Sequence, residues 1–185
     1  MMDEIKKTMN AQMTKAIEAM KHQLTRVRTG RASASALDGV MVDYYGVPTP
    51  LKQVGQISTP EARLLQIQPF DKTLIPAIER AILGANVGVT PANDGNLIRI
   101  PFPALTEEKR KEQVKEIKKQ GEETKVAIRN IRRDQNEIVK KAEKAKQLSE
   151  DDSKRHQTDI QTLTDKYIKE VDTVIAAKEN ELMTI

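Results

Sequence analysis

The chain has 185 residues, enough for one or two domains with modest cores. Charged residues make up 31% and aromatics 3%, which favours helices and excludes a large aromatic core. The net charge is only +4, and without cysteine there are no disulfides, thiolate nucleophiles or sulfur-ligated metals. The opening stretch "MMDEIKKTMNAQM" carries acids early and has no long apolar run, unlike a signal or transit peptide. Nothing approaches the roughly 18 to 20 apolar residues of a membrane span. The expectation is a soluble cytoplasmic protein with no membrane partner.

Within residues 1–29, Met13, Ile17, Met20, Leu24 and Val27 are spaced alternately by four and three. That heptad-like seam predicts a helix running up to Gly30, a C-terminal signal. A different composition follows. All eight prolines lie between Pro48 and Pro103, and six of the eight glycines between Gly39 and Gly95, so this middle cannot be long helix. "VMVDYY" (40–45), "QVGQIS" (53–58), "LLQIQ" (64–68) and "LIRI" (97–100) predict short strands. Tyr44-Tyr45-Gly46 with "VPTP" reads as core and turn, and Asn93-Asp94-Gly95 as a turn. "TLIPAIERAILGAN" predicts a helix with Pro76 in its first turn.

After Pro103, Thr106 is a candidate N-cap with Glu107 and Glu108 in the following turn. The seam Val114, Ile117, Gly121, Thr124, Ile128, Ile131, Gln135, Ile138, Ala142 then predicts a rod of some 40 residues, roughly 60 Å long. Ser149, followed by Glu150, Asp151 and Asp152, starts a third helix with Ile160, Leu163, Tyr167, Val171, Val174 and Leu182. Three helices with one apolar stripe each are stable only together. The fold expected is α+β. Residues 1–29 and 106–185 make an elongated three-helix bundle, and residues 30–105 an inserted small α/β domain. The two crossings, "RTGRAS" and "PFPAL", are short and compatible with a hinge or a fixed contact.

The mild total charge conceals a dipolar bundle. Net charge is +3 over residues 1–29, zero over 30–105, +5 over 106–146 and −4 over 147–185. Projected at 100° per residue, Lys111, Lys115, Lys118, Lys125, Arg129, Arg132, Arg133 and Lys140 share an arc of roughly 100° on the second helix. A helix that is merely soluble intersperses its signs and gains i,i+4 pairs. Arg26, Arg28 and Arg31 lie near the end of the first helix. Arginine forks suit phosphate, and no aromatics interleave them, so structured RNA fits better than stacked single strands. Charge-rich helix faces are also ordinary solvated surfaces, and a helical protein–protein adaptor with a dipolar bundle is the competing function.

No catalytic set, metal site or cofactor fingerprint is found. His22 and His156 lack a ligand partner at i+4 and fit a surface role. Asp151-Asp152 suits a helix N-terminus, and "SASALDG" lacks the cues of a nucleophile elbow.

"RTGRAS", "DGVMVDYYGVPTPL", "IRIPFPALTEEKRKE", "VAIRNIRRDQN" and "LSEDD" occur in the order they take in ribosome recycling factors, and across nearly the whole chain it resembles that family. The resemblance implies an L-shaped pair, a three-helix bundle and a small β/α/β domain joined by a two-strand hinge. It implies a monomeric, non-enzymatic factor without cofactor or metal. Such a factor binds the post-termination ribosome, mainly large-subunit rRNA, and with elongation factor G and GTP splits it into subunits. Carried onto this chain, the RNA-facing candidates are Arg28, Arg31, Arg129, Arg132 and Arg133, with Lys118, Lys125 and Lys140 added by the projection. The hinge candidates are Thr29, Gly30, Pro103, Ala104 and Leu105.

Overall fold

The computed structural model describes residues 1–184 and divides into two compact units. One comprises Met1–Val27 with Lys111–Met183, and the other Arg28–Arg110.

The first unit is built from α1 (Met2–Leu24) and most of α4 (Glu107–Lys144) with α5 (Glu150–Met183). Both long helices start on the side chains their sequences supply. Thr106 Oγ1 accepts from the Lys109 amide at 3.2 Å, and Ser149 Oγ from the Asp152 amide at 3.1 Å. α4 stops without glycine. Lys146 takes the left-handed conformation (φ 56), while the Gln147 and Lys146 amides reach back to Ala142 O and Glu143 O, both at 2.9 Å. That is a Schellman closure made by a lysine.

α1 buries Ile5, Met9, Met13, Ile17, Met20 and Leu24. The helix ends at Leu24, short of the expected Gly30. Its last turn tightens, with Arg26 N bonded to Gln23 O and Val27 N to Leu24 O, and the Thr25 hydroxyl donates to His22 O at 2.6 Å. Val27 is half-buried beyond that end.

Contacts fix the helix directions. Gly121 meets Ile175, Lys125 meets Asp172 and Arg132 meets Gln161, so α4 and α5 are antiparallel. Lys6 pairs with Asp159, and Asn10 and Thr14 with the Tyr167 hydroxyl, so α1 runs parallel to α5. The α4 seam buries Ile117, Gly121, Thr124, Ile128, Gln135, Val139 and Ala142. Ile138, expected inside, is 46% exposed, and Val139 takes its place with no exposure. A 3.6-residue turn drifts against a strict seven-residue repeat, and near the C-terminal end of α4 the drift brings position 139 inward. In α5, Thr164 is fully buried, whereas Leu163 and Val174 are half-buried. The Thr164 hydroxyl donates to Ile160 O at 2.8 Å. His156, expected on the surface, is half-buried.

The second unit contains two antiparallel sheets. β1 (Met41–Tyr44) and β2 (Val47–Pro50) form a hairpin, and β3 (Gly55–Glu61), β4 (Leu64–Pro69), β5 (Ala92–Asn93) and β6 (Ile98–Pro101) form a sheet ordered β3-β4-β6-β5. "VPTP", expected as turn, is strand β2 and pairs only with β1; a strand with one free edge tolerates proline. The turn is confined to Tyr45 and Gly46, both at positive φ (49 and 86), the geometry of a two-residue type I′ hairpin. Residues 51–54 form the single-turn α2 (Leu51–Val54) instead of opening a strand. The tyrosines are not core: Tyr44 is 42% and Tyr45 76% exposed.

Alternation along β4 and β6 turns Leu65, Ile67, Ile98 and Ile100 to one side, where they meet Ile78 and Ile82 of α3 (Ile75–Gly84). All six have no exposure, and the core is aliphatic, with Phe102 the one aromatic among the described half-buried residues at its margin. At the 93–97 turn, the Leu97 and Asn96 amides hold the Asp94 carboxyl below its ordinary range.

The α4–α5 contact can be tested at two points. A Cβ added at Gly121 would lie 2.8 Å from Ile175 Cγ1. Gly121→Ala should therefore forfeit its helix-propensity gain of about 1 kcal/mol and lower stability by roughly 1 kcal/mol. Adding Ile175→Ala should relieve the clash, giving favourable coupling in a double-mutant cycle of urea unfolding. Lys125, with a side chain 17% exposed, pairs with Asp172 at 2.5 Å and Glu122 at 3.6 Å. The Asp172 hydrogen bond holds its ammonium pKa above the ordinary 10.5. Because the folded value is the higher one, the pair's contribution is present below 10.5 and disappears as pH rises through the folded pKa. Lys125→Met should cost roughly 1 kcal/mol at pH 7. Thermal unfolding should show that difference vanishing at more alkaline pH.

Candidate nucleic-acid interface

Burying the α4 seam fixes where its other residues go. A cation on this helix has either found an acid on a neighbouring turn or helix, or it is left facing water. Lys119 and Lys141 are of the first kind, paired along the helix with Glu123 and Glu137 at 3.9 Å. Lys125, expected among the RNA-facing cations, is also of this kind, its charge held between Glu122 and Asp172. Projection places Lys125 on the right arc but carries no information about which acid of α5 lies across from it.

The remaining stripe is open. Lys115, Lys118, Arg129, Arg133 and Lys140 are exposed and, among the described residues, make no ion pair or side-chain hydrogen bond. At 1.5 Å per residue, the line from Lys118 to Lys140 is about 33 Å long. Arg132 is half-buried and donates from Nη1 to Gln161 Oε1 at 3.2 Å. Gln161 in turn donates to Asp165 Oδ1 at 2.7 Å. The Arg132 fork is thus oriented by a neutral partner that leaves its charge uncompensated, suited to presenting a guanidinium at fixed geometry. Sequence alone does not single out Gln161, since only the helix–helix register brings it opposite Arg132.

The arginines of the first crossing separate. Arg31 is exposed and has no partner among the described residues. Arg28 is also exposed, but its Nη2 donates to Val87 O at 2.7 Å, within the second unit. Of the hinge candidates, Thr29 is buried and Gly30 has φ +82, a left-handed conformation that favours glycine. A Cβ at Gly30 would lie 3.5 Å from Leu105 Cγ, so the two crossings touch there. Pro103 and Ala104 are exposed and Leu105 is half-buried.

Among the described residues no group of three His, Cys, Asp or Glu side chains is placed to hold a metal ion, and no helix is long and apolar enough to cross a membrane. The exposed aromatics Tyr44, Tyr45 and Phe70 belong to the second unit, away in sequence from the cationic stripe. The stripe's chemistry is therefore cationic without stacking surfaces, suited to a phosphate backbone more than to bases.

The chain is similar to known proteins along nearly its whole length. The family model described as "Ribosome recycling factor" matches residues 20–183. The ribosome-recycling factor of Bacillus thuringiensis (strain Al Hakam) is 55% identical over 182 residues, covering 98% of each chain. That of Bacillus mycoides (strain KBAB4) is 54% identical over the same length. A solution structure of the ribosome recycling factor matches at TM-score 0.76 and 40% identity, over 100% of this chain and 98% of the other. A second match has TM-score 0.66 and 38% identity and covers 98% of each chain. It is the T. thermophilus ribosome recycling factor, described with E. coli elongation factor G bound to the E. coli post-termination complex. Similarity over nearly the full length, in sequence and in fold, takes in the long helices and the sheet between them: the chain belongs to the ribosome recycling factor family.

Proposed function

We propose that this protein binds the post-termination ribosome and, with elongation factor G and GTP, separates it into subunits for another round of translation. Its bundle grips large-subunit rRNA through Lys118, Arg129, Arg132, Arg133 and Lys140 of α4, with Arg31 beside the crossing. The smaller unit, whose residues 30–105 include six basic and six acidic side chains, is the arm against which the GTPase works. The energy comes from GTP on that partner, so this chain acts in the cytoplasm as a monomer and without a reaction of its own.

One observation carries the RNA assignment: cations remain unpaired along one face of α4, although that helix bears acids enough to neutralise many of them. The family's solved relative on a post-termination complex with elongation factor G supports the partners. We assign the hinge to the two crossings, the first where it leads into Thr29 and Gly30 and the second through Pro103, Ala104 and Leu105; they meet at the Gly30–Leu105 contact.

Arg129 and Arg133 give the cleanest test, because neither makes an internal bond. Arg129→Ala/Arg133→Ala should leave unfolding free energy within about 0.5 kcal/mol of the parent. It should weaken binding to purified large subunits and lower the magnitude of the log–log salt slope by roughly 1.4 to 1.8, two phosphate contacts' worth. Unchanged sedimentation with large subunits would remove the stripe from the interface. Capture of protein partners that survives nuclease, with no ribosome binding, would instead favour the adaptor.

A further inference from the structure

Arg28 is one of two arginines in "RTGRAS", yet it differs from Arg31 in what it touches. Its guanidinium lies against the Val87-Gly88 turn that follows α3. Nη2 donates to Val87 O at 2.7 Å. A Cβ built on Gly88 would fall 2.8 Å from Nη1, 3.4 Å from Nη2 and 3.5 Å from Cζ. Three atoms of the fork at that range mean the terminal edge of the guanidinium fills the space a side chain at Gly88 would need. Gly88 therefore has two reasons to be glycine: φ is +82, and any side chain would occupy the arginine's seat.

The residues after Arg28 are fastened to the same unit. Thr29 is buried, Gly30 abuts Leu105, and the Ala32 amide donates to Ala62 O at 2.7 Å. Before Arg28, residues 25–27 have only the short-range bonds that close the end of α1. With the guanidinium seated, the first place where this crossing bends freely is thus 25–27. With it unseated, Arg28 joins that stretch, and the fastened part of the crossing begins only at Thr29.

We propose that Arg28 is a positioning residue for subunit splitting: seated on Gly88, it clasps the first crossing to the small unit, so that Arg28 joins the fastened residues 29–32 as part of the arm and not part of the joint. The inference rests on the splitting role proposed above. It gives Arg28 a task different from phosphate contact, and the two tasks make opposite demands on Gly88. A phosphate-binding arginine is indifferent to a methyl group at position 88, whereas a clasp is undone by it.

The test compares Arg28→Ala, Arg28→Lys, Gly88→Ala and Gly39→Ala. Gly39 has φ +84 and open space around its Cβ position, so it carries the same backbone penalty without a guanidinium to displace. Because the chain has no cysteine, spin labels at Ser58→Cys and Thr173→Cys report the distance between the two units. Arg28→Ala and Gly88→Ala should both widen that distance distribution, and Gly39→Ala should not. In a splitting assay at saturating factor with elongation factor G and GTP, both should slow splitting about fivefold, the worth of one modest hydrogen bond. The double variant should be no slower than either single one. Large-subunit affinity and its salt slope should stay at the parent values, and Arg28→Lys, a point charge without the planar fork, should not restore the rate. An Arg28→Ala salt slope smaller by about 0.7 to 0.9 with Gly88→Ala silent would overturn the clasp and make Arg28 a phosphate contact. Distance distributions unaltered in both variants would overturn it equally. If the parent protein failed to split ribosomes, the functional reading would fall while the distance measurement still decided the clasp.

Discussion

Each of the three long helices has one apolar face, and none has anywhere to put it except against the other two. α1 supplies six buried side chains, Ile5 through Leu24, four residues short of the segment that enters the small unit. α4 and α5 return only after that unit is complete. Burying a leucine- or methionine-sized side chain is worth about 1.5 to 3 kcal/mol, so α1 is held firmly although more than 80 residues separate it from α4. The small unit is consequently tied to the bundle by two covalent strands, both of which must be short and both of which end in anchored helices. A single linker would let the unit swivel in any direction. Two restrict its freedom to modes that both strands tolerate.

The same burial sorts the charges. Once Ile117, Thr124, Ile128 and Val139 face inward, α4 has a near flank that α5 reaches and a far flank that it does not. On the near side Lys125 finds Asp172, and Arg132 finds Gln161. Arg129 and Arg133, four residues apart and facing outward, find nothing. The acids of α4 sit largely one flank further round, pairing with Lys119 and Lys141. A surface kept cationic in this way repels itself at low salt, a cost that interspersed signs would avoid. An anionic partner removes the cost, and folded RNA offers phosphate at a density that matches a stripe of this length.

The helices and their caps are legible in the sequence because their signals are local. Thr106 and Ser149 announce themselves by the acids that follow, and a three-four seam needs no knowledge of the partner. What stays hidden depends on neighbours at long range. Ile138 and Val139 satisfy equally regular spacings, and only the phase accumulated along α4 decides between them. The cationic arc is visible as an arc, but Lys125 belongs to it in projection and to Asp172 in space. Tyr44 and Tyr45 look like core material because aromatics usually are, yet Tyr44 ends β1 at the hairpin tip and Tyr45 lies in the turn itself, so both are exposed. β2 is masked by Pro48 and Pro50, residues that argue against a central strand and say little about one with a free edge. The closing of α4 on Lys146 leaves no glycine to read.

"RTGRAS" shows how much a pair of similar residues can differ. Both arginines flank the same Thr-Gly, both are exposed, and a sequence reading treats them alike. Arg31 faces outward with no partner among the described residues, while Arg28 turns back onto Val87 and Gly88, 59 and 60 positions further on. The distinction lies in a glycine whose missing Cβ makes room for a guanidinium, far along the chain from the crossing itself. On the second crossing the restraints are of another kind: the Phe102 amide donates to Arg63 O at 2.7 Å, and the Thr106 side chain caps α4. Between these points only Pro103, Ala104 and Leu105 are left, with proline fixing one φ and Leu105 resting on Gly30. In the clasp proposed above, the limit on the first strand is set by one arginine side chain.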